Sequence, residues 1–93
     1  MIRNHGLVSV VIPAYNAERY IKGAVESVIN QTYPYLEIMV VDDGSSDNTI
    51  DIIKSINDKR IKLIEHKENK GPGAARNTAI SAAKGKWIAL LDA

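Results

Sequence analysis

Residues 39–47 have the sequence MVVDDGSSD, and this stretch decides how the rest of the chain is interpreted. An apolar run stops at the adjacent carboxylates Asp42 and Asp43, and a glycine and several helix-capping residues follow. This pattern is typical of a buried strand that leaves a sheet and leads into a helix. Because open α/β sheets bind ligands beyond the carboxyl ends of their strands, the two acids are candidate binding residues. Helix capping and loop solvation explain them equally well, so spacing alone leaves both roles open.

On either side of this stretch, strand patterns alternate with helical patterns. Short apolar runs predict strands at residues 7–12, 35–41, 61–64 and 87–91. Helical periodicity predicts a first helix from Ala17 to Ile29, with Asn16 as its N-cap and Tyr20 on its buried face. Further helices are predicted after residue 47 and over residues 74–84. The order predicts a three-layer α/β/α fold whose mainly parallel sheet has about four strands and three helices, with strand 61–64 at an edge and the first and fourth strands adjacent.

The composition excludes several classes of protein. The 93 residues are 45% hydrophobic and 25% charged, which is typical of a globular domain. A net charge of +1 indicates no nucleic-acid partner, and the absence of cysteine excludes disulfides and thiolate metal sites. No apolar run approaches the roughly 18 residues that span a bilayer, so we expect a cytoplasmic domain.

Other residues have both a functional and a structural interpretation. The glycine-rich helix start at residues 71–76 suits phosphate binding or close helix packing. Tyr15, at a strand exit, would stack on a base or pack over the rim of the sheet. His5 and His66 lack metal-ligand spacing and are expected at the surface, whereas Trp87 is expected to pack.

Five stretches together resemble a known enzyme family. They are residues 8–16 (VSVVIPAYN), 27–33 (SVINQTY), 37–49 (EIMVVDDGSSDNT), 69–77 (NKGPGAARN) and 85–93 (GKWIALLDA). In this order they resemble the amino-terminal half of an inverting family 2 glycosyltransferase with the GT-A fold. The resemblance covers nearly the whole chain. It implies a Rossmann-like half-domain that binds a nucleotide diphosphate sugar, usually a UDP-sugar, with Mn²⁺ or Mg²⁺ as cofactor.

The resemblance also implies roles for individual residues. Pro13, Ala14 and Tyr15 would line the nucleobase pocket with Glu18 nearby, and Asp43 would accept a hydrogen bond from the base.

The remaining implied site residues lie around this pocket. Asp42 would stand behind Asp43, and Gly73 and Arg76 would contact the nucleotide. Asp92 would be the first acid of an Asp-x-Asp motif and would contact the ribose or the metal.

The chain stops just inside that motif, so residues 1–93 are expected to be the nucleotide-sugar-binding half of the domain. The catalytic base is then expected downstream of Ala93, and a glycan or lipid-linked acceptor and attachment at the cytoplasmic face of the membrane belong to the full-length protein. Alone, the chain is expected to self-associate and to transfer no sugar. Two alternatives remain: a non-catalytic nucleotide-binding or regulatory domain, and a receiver-type phosphoacceptor domain, whose acidic pair should follow the first strand.

Overall fold

The computed structural model describes residues 6–92, over which strands and helices alternate without exception. The elements are β1 (Val8–Ala14), α1 (Ile21–Ile29), β2 (Leu36–Asp42), α2 (Thr49–Ser55), β3 (Ile61–Glu65), α3 (Pro72–Ala82) and β4 (Trp87–Leu90). All strand pairs are parallel, and the order across the sheet is β3-β2-β1-β4. The predicted α/β architecture is therefore confirmed, with β3 at an edge and β1 beside β4.

The two central strands send alternate side chains into opposite layers, as the two-residue period of a strand requires. On one face, Val10, Ile12, Ile38 and Val40 pack with α1 and with Ile53 of α2. On the other face, the buried residues are Val11, Met39, Val41, Ala75 and Ala79. The alanines of α3 let that helix lie close to the sheet. Burial on both faces explains why β2 is apolar almost throughout.

Pro13 lies inside β1, although the apolar pattern predicted a strand over residues 7–12 only. It pairs in register with Val41 of β2, whereas pairing with β4 stops at Val11. Val11 bonds toward β4 through its carbonyl, and Pro13 points to the same side, beyond the last paired residue. Its missing N–H therefore removes no bond from the ladder.

The first helix begins at Ile21, later than predicted, and residues 18–20 form a turn. The side chain of Asn16 makes no capping bond to its own helix. The predicted burial of Tyr20 is wrong: this side chain is 65% exposed, because it lies in the turn and not on the buried helical face.

Strand β4 forms an exposed edge within the described part of the chain. The predicted packing of Trp87 is wrong, because the ring is 59% exposed and its recorded ring contact is with the Lys86 ammonium, 5.6 Å from the centroid. Ile88 and Leu90 are exposed as well. Self-association through this edge stays a prediction.

Candidate functional site

The candidate site lies where the parallel strands end, because their carboxyl ends meet at one edge of the sheet. A cleft of about 300 Å³ opens there. Five of the predicted site residues line it, namely Pro13, Ala14, Tyr15, Asp43 and Asp92. They come from three strand exits that are far apart in sequence, which is the clustering that the predicted topology requires.

Asp43 is the most constrained group in the cleft. Its residue is only 2% exposed, and its carboxylate accepts hydrogen bonds from the backbone N–H groups of Lys70 (2.9 Å) and Gly71 (2.8 Å). The ring Nδ1 of His66 lies 2.8 Å from the same carboxylate. Burial alone would raise the pKa of Asp43, but the hydrogen bond from His66 and the two backbone bonds together lower it. Asp43 is therefore a carboxylate held ionised in a nearly buried position.

Gly44 allows the loop that carries these donors to cross directly over the β2 exit. Its φ is +77°, a left-handed conformation that favours glycine. A Cβ here would lie 2.7 Å from the backbone N of Asn69 and from the carbonyl carbon of Glu68. The glycine after the acidic pair thus lets residues 68–71 reach Asp43, which explains why it follows the acids.

A second set of hydrogen bonds joins the loop after β1 to the loop after β2. Asn16 has a φ of +46°, and its side-chain oxygen accepts a bond from Ser46 N–H (2.8 Å), while its own N–H donates to Ser45 Oγ (2.8 Å). The N–H of Ala17 donates to the buried Thr49 hydroxyl (2.9 Å). These bonds fix the backbone next to Tyr15, whose half-exposed ring lines the cleft.

The other four predicted site residues do not line this cleft, and their nucleotide roles stay predictions. Glu18 accepts a hydrogen bond from Asn48 N–H (3.1 Å), so it joins the two loops. Asp42 is fully buried, and its Oδ2 accepts a bond from Ser45 N–H (2.9 Å).

Gly73 and Arg76 belong to the first turns of α3. A Cβ on Gly73 would meet nothing within 4 Å. Within residues 6–92, the guanidinium of Arg76 has no hydrogen-bond or ion-pair partner.

Four residues of this region were not predicted to belong to the site. Asn69, Pro72 and Ala75 also line the cleft, and the glycines around them were the signal that could have indicated it. The prediction that His66 lies at the surface is wrong, because its side chain is 9% exposed and is held between Asp43 and the Thr78 hydroxyl. No local sequence pattern predicts these two contacts of His66, because Asp43, His66 and Thr78 belong to different segments of the chain. His5 lies outside the described residues.

The described residues of the cleft supply only part of the coordination sphere of a divalent cation. Among residues 6–92, no three His, Asp or Glu side chains group closely enough to hold a metal ion. Asp92 is exposed and lines the cleft, and no other described residue pairs with its carboxylate. Mg²⁺ and Mn²⁺ at phosphate sites use one or two carboxylates together with phosphate oxygens and water. Asp92 therefore fits one ligand of such a site.

The chain is similar in sequence to known glycosyltransferases. The chain is 48% identical over 86 residues to the Escherichia coli enzyme UDP-Glc:alpha-D-GlcNAc-diphosphoundecaprenol beta-1,3-glucosyltransferase WfgD, an alignment that covers 92% of this chain and 34% of that enzyme. The chain thus spans about a third of this relative's length.

Helices long and apolar enough to cross a bilayer do not occur within residues 6–92.

Two solved structures share the fold. Residues 1–349 of S. aureus TarS in complex with UDP superpose with a TM-score of 0.87 at 36% identity, over 92% of this chain and 27% of that TarS chain. The mannosyltransferase PcManGT from Pyrobaculum calidifontis, in complex with GDP-Man and Mn²⁺, superposes with a TM-score of 0.87 at 30% identity, over 96% of this chain and 28% of that protein. The model of the family described as "Glycosyl transferase family 2" matches residues 9–93. The chain belongs to glycosyl transferase family 2.

Proposed function

We propose that this chain forms the donor-nucleotide-binding part of a glycosyltransferase that uses a nucleotide diphosphate sugar, with a UDP-sugar preferred. The observation that carries the proposal is the cleft at the strand ends, which combines the ionised carboxylate of Asp43 with the half-exposed ring of Tyr15. Relatives whose names state UDP-glucose or UDP support the choice of nucleotide. The activity of the whole protein is part of the proposal, because the chain spans about a third of the relative described above.

Asp43 would receive the base through the one acceptor position that its protein partners leave open. A carboxylate has about four lone-pair sites. The structure fills two on Oδ1, through His66 and Lys70, and one on Oδ2, through Gly71. The remaining site on Oδ2 accepts a hydrogen bond and donates none. The imide N–H of uracil suits it, with the base resting against Pro13, Ala14 and Tyr15.

The diphosphate would lie toward the start of α3. Helix N-termini attract anions through their unpaired N–H groups and their dipole, and α3 begins beside the cleft with Pro72. Gly73 leaves space there, and Arg76 offers a cation with no described partner. In this account Asp42 and Glu18 act indirectly, since their hydrogen bonds hold the loops that carry the site.

A divalent ion, Mn²⁺ or Mg²⁺, would be held on the protein side by Asp92. When bound, such an ion neutralises the charge that develops on a diphosphate leaving group. The structure of PcManGT with Mn²⁺ supports the choice of metal. We place the catalytic base and the acceptor site in other parts of the full-length protein, because the chain covers only 34% of the E. coli relative, and we expect no sugar transfer by residues 1–93 alone.

The acceptor is proposed to be a glycan or a lipid-linked glycan in polysaccharide synthesis. The name of the E. coli relative, which states a diphosphoundecaprenol acceptor, supports this class. We propose that the domain is cytoplasmic and works at the cytoplasmic face of the membrane in the full-length protein, which a lipid-linked acceptor of the kind named for the E. coli relative supports.

Calorimetric titration of the chain with UDP, GDP, CDP and ADP, each with and without MnCl₂, tests the proposal. We expect saturable binding of UDP that is tighter than binding of CDP and ADP, and tighter still with Mn²⁺. GDP is the informative competitor, because guanine also presents a ring N–H. Equal binding of all four nucleotides, or no binding of any, would contradict the assignment and would favour a domain without a donor site.

A further inference from the structure

We propose that His66 is a positioning residue for base recognition: its Nδ1–H donates to Asp43, and the Thr78 hydroxyl holds the opposite side of its ring. This inference rests on the proposed function of the cleft and adds a residue that the sequence analysis placed at the surface. Its basis is a chain of two hydrogen bonds of 2.8 Å, from Asp43 Oδ1 to His66 Nδ1 and from His66 Nε2 to Thr78 Oγ1.

The protonation of the ring follows from its partners. An ionised carboxylate only accepts hydrogen bonds, and the pKa of Asp43 is lowered by its donors. Nδ1 of His66 must therefore carry a proton. In the neutral ring Nε2 is then an acceptor, and the Thr78 hydroxyl donates to it. Each polar atom of this nearly buried chain thus has a partner of the right kind.

The position of His66 in the fold explains what the contact does. The residue follows β3 directly, and its backbone N–H donates to the carbonyl oxygen of Asp42 at the end of β2 (2.8 Å). Thr78 lies on α3, on the other side of the imidazole. The ring therefore connects the β2 exit to the helix that borders the cleft, so that Asp43 is held from both neighbouring elements.

As a consequence, Oδ2 of Asp43 selects ligands that present an N–H group. With Nδ1–H and Lys70 N–H both on Oδ1, the carboxylate cannot turn, and the open position on Oδ2 keeps one direction. Without the imidazole donor, Oδ1 regains an open lone pair and the carboxylate loses one of three constraints. A ligand N–H would then bind more weakly and would be distinguished less sharply from an analogue that lacks it.

Two substitutions separate the two ring nitrogens. The amide nitrogen of asparagine stands the same number of bonds from Cα as Nδ1, so His66→Asn keeps a donor for Asp43. The amide of glutamine stands where Nε2 does, so His66→Gln keeps a partner for Thr78 and loses the donor to Asp43. The ligands are UDP and its N3-methyl derivative, which lacks the imide N–H. The readouts are the Kd of each and their ratio.

We expect His66→Gln to raise the Kd for UDP roughly tenfold, at the lower end of what a hydrogen bond to a charged group is worth, because the lost bond holds Asp43 and does not itself contact the ligand. The preference for UDP over N3-methyl-UDP should shrink in parallel. His66→Asn should keep most of both. Ile53→Val, a buried change away from the cleft, is the control for lost stability, and it should leave the ratio unchanged.

The outcomes distinguish the inference from the function on which it rests. If the unaltered chain does not bind UDP, the proposed function itself fails. If it binds, and His66→Gln binds UDP with the same affinity and the same preference, the role of His66 is refuted. Equal losses in the Asn and Gln variants would refute the assignment to Nδ1.

A measurement on the unaltered chain keeps the inference testable if a variant fails to fold. Long-range proton–nitrogen NMR correlations report which ring nitrogen of His66 carries the proton. We expect a protonated Nδ1 and an acceptor Nε2, and the Thr78→Val variant should keep the proton on Nδ1, because the carboxylate of Asp43 only accepts hydrogen bonds. A proton on Nε2 alone in the unaltered chain would overturn the proposal.

Discussion

Replacing Asp43 by asparagine should weaken UDP binding far more than a comparable change elsewhere in the core. The substitution keeps the shape of the side chain but replaces one acceptor oxygen by an NH₂ donor. With the amide oxygen at the Oδ2 position, the NH₂ group faces the N–H of Lys70. With the oxygen at Oδ1, the NH₂ group faces the N–H of Gly71 and the base. Either orientation places two donors against each other.

The expected magnitude follows from these contacts. A hydrogen bond between a ligand N–H and a carboxylate contributes about 1.5–3 kcal/mol, so its loss should raise the Kd for UDP roughly 10- to 150-fold. A buried backbone N–H left without an acceptor costs about 1–3 kcal/mol, so the free energy of unfolding should fall as well. Alanine at Asp43 would leave all three protein donors unpaired, which makes asparagine the cleaner probe of the ligand contact.

The assay is calorimetric titration with UDP at neutral pH, together with urea unfolding of each variant. Glu37→Gln is the matched control, because Glu37 is also a buried carboxylate on β2 and accepts bonds from Ser9 Oγ (2.6 Å) and Lys84 N–H (2.6 Å) at the other end of the strand. It should lose stability and keep its affinity for UDP. If Asp43→Asn bound UDP as tightly as the unaltered chain, the assignment of Asp43 to the base would be wrong.

The Asp43→Asn variant also tests how the free energy of unfolding depends on pH. Burial alone would raise the pKa of Asp43, but its hydrogen bonds lower it from 3.8, so the folded state holds the carboxylate ionised more firmly than the unfolded state does. Its contribution to stability is present above that value and is lost as pH falls through the lower pKa of the folded state. Unfolding free energies measured across this acid range should decline less steeply in Asp43→Asn than in the unaltered chain. Identical slopes would contradict the lowered pKa.

Three further predictions concern the loops and the packing around the site. Tyr15→Ala should weaken the binding free energy of UDP by roughly 1–3 kcal/mol, the contribution of a base stacked on an aromatic ring, whereas Tyr15→Phe should not. Calorimetry that shows no difference between the two variants would exclude stacking. Asn16→Ala should lower the free energy of unfolding by more than Asn16→Gly. Both variants lose the hydrogen bond to Ser46, but only alanine is also strained at the left-handed φ of +46°. The reverse order in urea unfolding would refute this. Gly85→Ala should lower the melting temperature, because the added Cβ would lie 2.6 Å from the buried backbone nitrogen of Ser9. Gly23→Ala should raise it, because a Cβ at this exposed helical position meets nothing within 4 Å. Equal changes in melting temperature would contradict this difference in packing.

The layer architecture was predictable because it depends on local patterns. The apolar runs of β1 and β2 and the helical period after Ala17 determine the order of the elements, and short connections then require parallel strands. Tyr20 and Trp87 were misplaced for physical reasons. Residues 18–20 form a turn closed on the carbonyl oxygen of Ala17, and no side chain caps α1, so Tyr20 lies before the helix. Strand β4 is an edge with one paired side in the described residues.

The candidate site was only partly predictable. Strand exits placed Tyr15, Asp43 and Asp92 together, since the carboxyl ends of parallel strands share one edge. The partners of Asp43 could not be predicted, because they depend on how closely the loop over residues 66–71 crosses Gly44. His66 illustrates this limit: its sequence neighbours are charged and exposed, yet its ring is held between two other segments.

The central claim is that the cleft at the strand ends binds the uracil of UDP through Asp43. Titration of the ¹⁵N-labelled chain with UDP, followed by amide NMR, tests it most directly, because it reports both binding and location. We expect saturable shifts at Tyr15, Asp43, Asn69 and Gly71, which border the cleft or bond to its carboxylate, and none at Glu37 on the opposite end of β2. Shifts that do not saturate, or that map away from the cleft, would contradict it.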